Sequence, residues 1–456
     1  MLNAFLEVLA VARDELLLFA AVGFLIGGID DLMVDAFWIA RRLWRRSTVY
    51  SRFARATAVD FPESYRDRPI VVFVPTWQEQ AVIRAMLENC IAAWGDQNYL
   101  IYVGCYRNDS PTIAEVARVA SARVRTVFVE RPGPTTKADC LNALWQALDA
   151  DQRAARVCAR AIVLHDAEDV VHPDELRVFS GMVGRFAMVQ IPVEPLRDPR
   201  SVWIGGHYVD EFAEAHTRDM VVREAIGAGL PSAGVGCAIG LEWLAKIGTS
   251  RGGMPFDEAS LTEDYELGLE LARLGGRTAF VRMVAAKGRG LVAVRAHFPG
   301  TLKEAVRQKA RWTVGIALAG WDRIGWTGSI FERWMRFRDR RSLIAALVLV
   351  AAYAALALTV LLWFAGRPFE AGQAVSTLLL VNAVLLAWRA AIRATVVTRL
   401  HGSSEGLRAV PRMVVSNIVA MMAAWRAIGL YVRMVRTGMI AWDKTDHHFP
   451  GLGSVS

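Results

Sequence analysis

Leu343 to Ala365 carries no charged residue. At about 1.5 Å per residue, a helix of that length crosses the roughly 30 Å hydrocarbon core of a bilayer. Only a helix or a closed barrel satisfies every backbone group in lipid, so this run commits part of the chain to the membrane. A basic cluster, Arg336 to Arg341, precedes it, and a Gly-Arg-Pro turn follows. The next apolar run, Ala374 to Val397, carries Trp388, Arg389 and Arg393 near its far end, which predicts a return to the cytoplasmic side.

The remainder is less apolar. Hydrophobic residues make up 54% of the 456 residues, yet 21% are charged, the balance of a soluble domain joined to membrane segments. The net charge of +8 comes mostly from arginines flanking apolar runs, so it reads as membrane orientation. No Lys/Arg stripe interleaves with stacking aromatics, and no nucleic-acid partner is predicted. The 5 cysteines, at positions 90, 105, 140, 158 and 237, form no C-x-x-C pair, which fits a reducing compartment without disulfides or structural zinc. The N-terminus lacks a basic n-region, and no cleaved signal peptide is expected.

Leu16 to Gly28 opens a first span, interrupted by Asp30, Asp31 and Asp35 and closed by Arg41, Arg42, Arg45 and Arg46. Carboxylates at that depth need partners, and an interfacial helix is the alternative. Met413 to Trp425 is short and bounded by arginines, which predicts a re-entrant or interfacial helix. Three crossings follow, with four as the alternative. The expected divisions are 1–67 (first span and basic linker), 68–300 (soluble domain), 301–341 (amphipathic interfacial helices), 342–400 (helix pair) and 401–456 (last helix and tail).

Between Arg68 and Ala296 strand-like runs alternate with helical ones. Ile70–Val74, Tyr99–Val103, Val124–Val129, Ala161–Leu164 and Ala187–Ile191 read as strands; 79–94, 111–122, 137–150 and 173–183 read as helices. This predicts an α/β domain with a mostly parallel sheet that binds ligands beyond the carboxyl ends of its strands. The polar clusters Pro75–Glu79, Tyr106–Ser110 and Asp166–Asp169 fall there.

Asp166-Ala167-Glu168-Asp169 follows a strand, and carboxylates spaced by one residue on a turn can hold a hard cation on a diphosphate; alone, the spacing fits a solvated loop equally. Lys137 opens a helix whose free N–H groups suit phosphate, as they would any exposed lysine. Thr262 is placed to cap a helix with Glu263 and Asp264 in its first turn and Leu267, Leu271 and Leu274 on one stripe. Gln308, Arg311 and Trp312 share a helical face, suited to phosphate and sugar or to a bilayer surface. Gly236 to Gly240 offers either close backbone approach to a ligand or tight packing. The histidines show no metal-ligand spacing, and His447-His448 reads as a polar tail.

Taken in order, these motifs resemble the processive-type family 2 glycosyltransferases, the group of bacterial cellulose and hyaluronan synthases. Val74-Pro75-Thr76-Trp77-Gln78-Glu79 resembles V-P-T-Y-N-E, and Lys137-Ala138-Asp139-Cys140-Leu141-Asn142 resembles K-A-G-N-L-N. Asp166 and Glu168 stand at D-x-D, Gly236-Cys237-Ala238 at F-C-G-S, Thr262-Glu263-Asp264 at T-E-D, and Gln308 to Trp312 at Q-x-x-R-W. Gly104 to Asp109 and Trp442 to Pro450 narrow the resemblance to inner-membrane glycosyltransferases of the phage N4 adsorption B type. Arg107-Asn108-Asp109 replaces the usual Asp-Asp-Gly, and Glu168 the second aspartate.

The resemblance implies a GT-A-like domain on the cytoplasmic side of a bacterial inner membrane, joined to transmembrane and interfacial helices. It implies an inverting transfer from a UDP-sugar, an N-acetylated hexosamine such as N-acetylmannosamine, to an exopolysaccharide. Single transfer to a lipid-linked acceptor, or an idle phage-entry scaffold, are the alternatives. Pro75, Thr76, Glu79, Asp109, Lys137 and Asp166 would bind the donor. Asp166 and Glu168 would hold Mg²⁺ or Mn²⁺, and Asp264 would be the base. Gly236, Cys237, Glu263, Gln308, Arg311 and Trp312 would face acceptor and diphosphate. Membrane lipid and an outer-membrane export partner are implied. Many members add a cyclic di-GMP-binding domain; here the sequence ends just after Lys444 to His447, and direct binding of that nucleotide is not expected.

Overall fold

A computed structural model describes residues 1–62 and 68–437, together with Phe449. The segment Trp442 to His448, with its histidine pair, and Pro450 lie outside the described residues.

The strands in chain order are β1 (Ile70–Pro75), β2 (Tyr99–Tyr106), β3 (Val124–Val129), β4 (Ala161–Leu164), β5 (Met188–Gln190), β6 (Val193–Pro195), β7 (Cys237–Gly240), β8 (Thr278–Phe280) and β9 (Val294–Ala296). A 7-stranded sheet runs β3-β2-β1-β4-β7-β5-β8, and β6 pairs with β9 beside it. Among the described strands of the large sheet, β7 alone runs antiparallel to its neighbours. The sheet is the predicted α/β, GT-A-like, mostly parallel one. Every residue of β1 is buried, as befits a central strand covered on both faces.

The helices are α1 (Leu2–Trp44), α2 (Ile83–Trp94), α3 (Ser110–Ala117), α4 (Lys137–Arg153), α5 (Glu175–Met182), α6 (Ile204–Glu214), α7 (Met220–Ala225), α8 (Leu241–Ser250), α9 (Glu263–Arg273), α10 (Leu302–Thr313), α11 (Gly320–Ile324), α12 (Ile330–Arg340), α13 (Ser342–Phe364), α14 (Gln373–His401) and α15 (Ser403–Thr437). Helices α2 to α5 are the expected crossovers. The Gly236–Gly240 segment, weighed in the sequence as a ligand loop or a packing element, is mostly strand β7, wedged between β4 and β5.

Among the described residues, 4 helices are long and apolar enough to cross a membrane: Leu2–Val49, α13, α14 and α15. Three were anticipated. The sequence reading ended the last apolar run at its arginines, but Arg412 is only 1% exposed and is neutralised by Asp210 at 3.1 Å and Glu405 at 2.6 Å. The helix therefore runs on through Pro411 over 35 residues. One face of α15 packs along α6 and α10, while Leu407, Val414, Trp425 and Val432 stay exposed.

The aspartates that interrupted the first span have partners. Arg218 Nη1 and Trp388 Nε1 donate to Asp35 at 2.8 and 2.9 Å. Arg341 reaches Asp30 and Asp31 at 2.5 and 2.8 Å. With their charges matched, these residues no longer break the helix, and α1 is continuous.

Candidate active site

Beyond the carboxyl ends of β4 and β5 lies a cavity of about 810 Å³. Its wall brings together Lys137, Asp166 and Glu168, the acids Glu263 and Asp264, and Gln308, Arg311 and Trp312. Residues more than a hundred positions apart thus share one space.

Asp166 begins the turn after β4. Its backbone N–H donates to Asp169 Oδ2 at 3.0 Å, and the same oxygen meets His165 Nδ1 at 2.9 Å. The other ring nitrogen, Nε2, meets Glu175 Oε1 at 2.9 Å. Burial works against a charge on His165, but Glu175 and Asp169 outweigh it and push the imidazole up to about 10, so both nitrogens donate. Asp169 is thus a strut for the turn. A histidine four residues before an acid was visible in the sequence; the buried Glu175 that completes the bridge was not.

Lys137 starts α4, which Thr136 caps by accepting from Asp139 N. Its Nζ reaches Asp166 Oδ1 at 2.5 Å. Burial opposes the ammonium, but Asp166, Glu263 and Asp264 hold it protonated well above the usual lysine range. Asp166 and Glu168 are hard oxygen donors, and among the described residues no cluster of three or more His, Cys, Asp or Glu forms a complete metal cage. That donor set fits Mg²⁺ or Mn²⁺, which characteristically takes one or two carboxylates and fills its other positions with substrate phosphate and water.

Helix α9 begins at Glu263 as the sequence predicts, but Thr262 does not cap it. Its hydroxyl is buried without a hydrogen-bond partner among the described residues and packs on Gly315. Ser260 organises the turn instead: its Oγ accepts from Thr262 N at 3.1 Å and donates to Glu266 Oε1 at 2.7 Å. Leu267 and Leu271 enter the core, whereas Leu274 lies past the helix end and is partly exposed. Burial and the neighbouring Asp264 push the Glu263 carboxyl up to about 7, against the pull of Lys137. Burial also raises Asp264, whose carboxylate lies over Gly234 at φ +76°. Any side chain at Gly234 would displace that carboxylate. Gln190 holds the loop beneath, accepting from Ala233 N at 2.9 Å and donating to Val235 O at 2.8 Å. An amide in an otherwise apolar strand was the signal for it.

On α10, Gln308 Oε1 and Arg311 Nε are buried with no hydrogen-bond partner among the described residues. Buried polar atoms left unpaired beside a cavity point to a polar ligand. Trp312 stands edge-on to Tyr208, with ring centroids 6.3 Å apart.

The remaining predicted residues are not in the cavity wall. Pro75 ends β1, and Thr76 Oγ1 donates to Gly104 O at 2.7 Å. Glu79 N donates to Thr112 Oγ1 at 2.9 Å, and Asp109 accepts from Gln78 N at 2.6 Å while capping α3. These residues lock the loops after β1 and β2 together. Gly236 sits at φ +57° with the side chains of Ile191 and Val294 3.0 Å from where a Cβ would stand, and Cys237 is wholly buried in the core. Both were expected toward the acceptor; Cys237 lies in β7, and Gly236 immediately precedes that strand, against Ile191 and Val294.

Residues 68–315 match the family model described as glycosyltransferase-like family 2. Bacteriophage adsorption protein B of Escherichia coli K12 is 35% identical over 461 residues, covering 95% of this chain and 62% of that protein. Bacteriophage N4 adsorption protein B of Escherichia coli O157:H7 matches with the same figures. The chain therefore spans about 62% of the length of the curated relatives it matches. Among solved structures, the mannosyltransferase PcManGT of Pyrobaculum calidifontis, in complex with GDP-Man and Mn²⁺, is 16% identical, covering 91% of this chain and 99% of that one, with a TM-score of 0.45.

Proposed function

The chain belongs to the glycosyltransferase-like family 2, and from that premise we propose that it is an inverting membrane enzyme moving a sugar from a UDP-sugar onto a growing exopolysaccharide. The donor sugar in this reading is an N-acetylated hexosamine. One observation carries it: a single cavity is lined by Lys137, Asp166 and Glu168, by the acids Glu263 and Asp264, and by Gln308, Arg311 and Trp312.

In this reading the uridine lies against the loops that Pro75, Thr76, Glu79 and Asp109 organise, and Lys137 and Arg311 face the diphosphate. Asp166 and Glu168 would hold Mg²⁺ or Mn²⁺, which supplies positive charge to the leaving diphosphate when bound. The acceptor hydroxyl oxygen attacks C1 from the face opposite the diphosphate, and its proton passes to Asp264. The C1–O bond to the β-phosphate breaks, its electron pair stays on the phosphate oxygen, and the products are UDP and a glycoside of inverted configuration. A carboxyl raised by burial suits a base, because it takes a proton more readily than an exposed aspartate. Trp312 offers its flat face to the acceptor sugar.

We place α1, α13 and α14 across a bacterial inner membrane with the catalytic domain on the cytoplasmic side, where Arg41, Arg42, Arg45 and Arg46 lie. Helix α15 packs on α13 and α14 as well as on α6 and α10 and keeps an apolar exposed face, and we read it as a re-entrant or interfacial helix and not a fourth crossing. The similar Escherichia coli proteins are named for bacteriophage adsorption, which a surface polysaccharide exported through an outer-membrane partner would explain.

The test is product analysis with the purified protein in lipid nanodiscs and radiolabelled UDP-N-acetylhexosamines. Long labelled chains are expected. A single sugar on a lipid would overturn polymerisation, and no consumption of any UDP-sugar would overturn the enzymatic reading.

A further inference from the structure

Helix α9, which carries Asp264, is held from outside the sheet domain. Tyr265 donates its hydroxyl to Asp339 Oδ2, in α12, at 2.6 Å. Asp339 is gripped on its other side by Arg223 Nη1, at 2.9 and 2.8 Å to its two oxygens. Its charge is therefore already matched, and the tyrosine hydroxyl adds orientation. Arg323, in α11, reaches Glu266 with Nε at 2.8 Å and Nη2 at 3.0 Å. Gly315 lies so close to Thr262 that a side chain there would stand 2.5 Å from the threonine methyl. The stretch after α10 thus touches α9 at its entry and twice in its first turn.

That stretch is itself seated on the membrane helix α1. Arg338 and Arg341 reach Asp31 Oδ1 at 3.0 and 2.8 Å, and Trp334 Nε1 donates to Asp30 at 2.6 Å. An unbroken series of contacts therefore runs from α1 through α12 to the residue after Asp264.

Successive helical residues are about 100° apart around the axis, so fixing Tyr265 fixes the direction in which Asp264 projects. A slip of about 10–20° moves a carboxylate at that radius by roughly 1 Å, and a displacement of that size can cost on the order of 10²-fold in rate.

Resting on the transferase reading above, we propose that Tyr265 and Asp339 are a positioning pair: α12, seated on α1, sets the rotation of α9 and so the approach of Asp264 to the acceptor hydroxyl. The pair makes transfer depend on how the membrane helices are seated.

The test uses the full chain in lipid nanodiscs with Tyr265→Phe, which removes one hydroxyl and leaves the Asp339–Arg223 pair intact. Backbone deuterium exchange across residues 260–268 should rise about tenfold, with β1 and β4 unchanged. With UDP-N-acetylmannosamine as donor, kcat should fall at least about tenfold while KM stays within about twofold and UDP affinity is unaltered. Asp31→Asn should raise exchange in the same window by a smaller factor. Unchanged exchange in 260–268, a rise spread equally over the strands, or a KM increase matching the rate loss would each overturn the positioning role. Should the wild type turn over no UDP-sugar, the transfer reading fails, and the exchange measurement still decides whether α12 orders α9.

Discussion

Asp166 and Asp264 face one cavity from opposite kinds of mount. Asp166 is braced from within the sheet domain: its turn hangs on Asp169, and Asp169 on a doubly bridged His165 a few residues away. Asp264 sits on a helix whose neighbours Thr262, Tyr265 and Glu266 lean on residues 315, 339 and 323, beyond the soluble domain. The Asp166 side can therefore keep its geometry by itself, whereas the Asp264 side depends on the helices that follow α10. Donor binding and transfer should respond differently to the same disturbance.

The largest effects should come from the groups nearest the chemistry. Asp264→Asn is expected to lower turnover by about 10³-fold while UDP still binds, measured by initial rates alongside equilibrium binding. Near-normal turnover would remove Asp264 from the role of base. Chelation with EDTA should abolish activity and added Mg²⁺ or Mn²⁺ restore it; EDTA-resistant transfer would dissociate Asp166 and Glu168 from a metal.

His165→Gln tests the internal mount. Losing a residue that orients metal-facing groups typically weakens metal affinity by about 10- to 100-fold, which a metal titration of activity would detect. Tyr265→Phe should leave that titration unmoved. His165 also has a stability signature. Its imidazole sits at about 10 against an ordinary 6.5, so its contribution is complete below pH 6.5 and is lost as pH rises through 10. The wild-type thermal midpoint should fall over that window, and the variant should show a smaller fall.

The smallest effect concerns Glu263. With its carboxyl near 7 and Asp264 raised beside it, the two acids titrate as a pair and turnover should drop as pH falls through about 7. Glu263→Gln removes a negative neighbour, which lowers the pKa of Asp264 and should move the acid limb of the pH–rate profile down. An upward shift would contradict the pairing.

Much of this site was legible because its motifs are local. Asp166 and Glu168 lie on one turn, and Gln308, Arg311 and Trp312 on one helical face, so spacing alone put each set together. The apolar runs announced α13 and α14 for the same reason. Residues whose meaning depends on a distant partner were not legible. Asp30, Asp31 and Asp35 read as faults in a membrane helix until Arg338, Arg341 and Arg218 came to meet them. Thr262 read as a cap, yet its hydroxyl faces Gly315 and Ser260 took over the turn. Gly236 and Cys237 read equally as ligand contacts or packing, and only the fold shows Cys237 wholly buried in β7 with Gly236 just before it at φ +57°.

By itself, the order of residues determined the kind of protein this is: an alternating α/β domain, because hydrophobic periodicity is written along the chain, and a membrane anchorage, because backbone groups in lipid leave a long apolar run no alternative to a helix. Tertiary structure alone decided which acids are braced from within and which from the membrane side. Side-chain pairing across hundreds of residues leaves no periodic trace, and it exists only once the helices have packed.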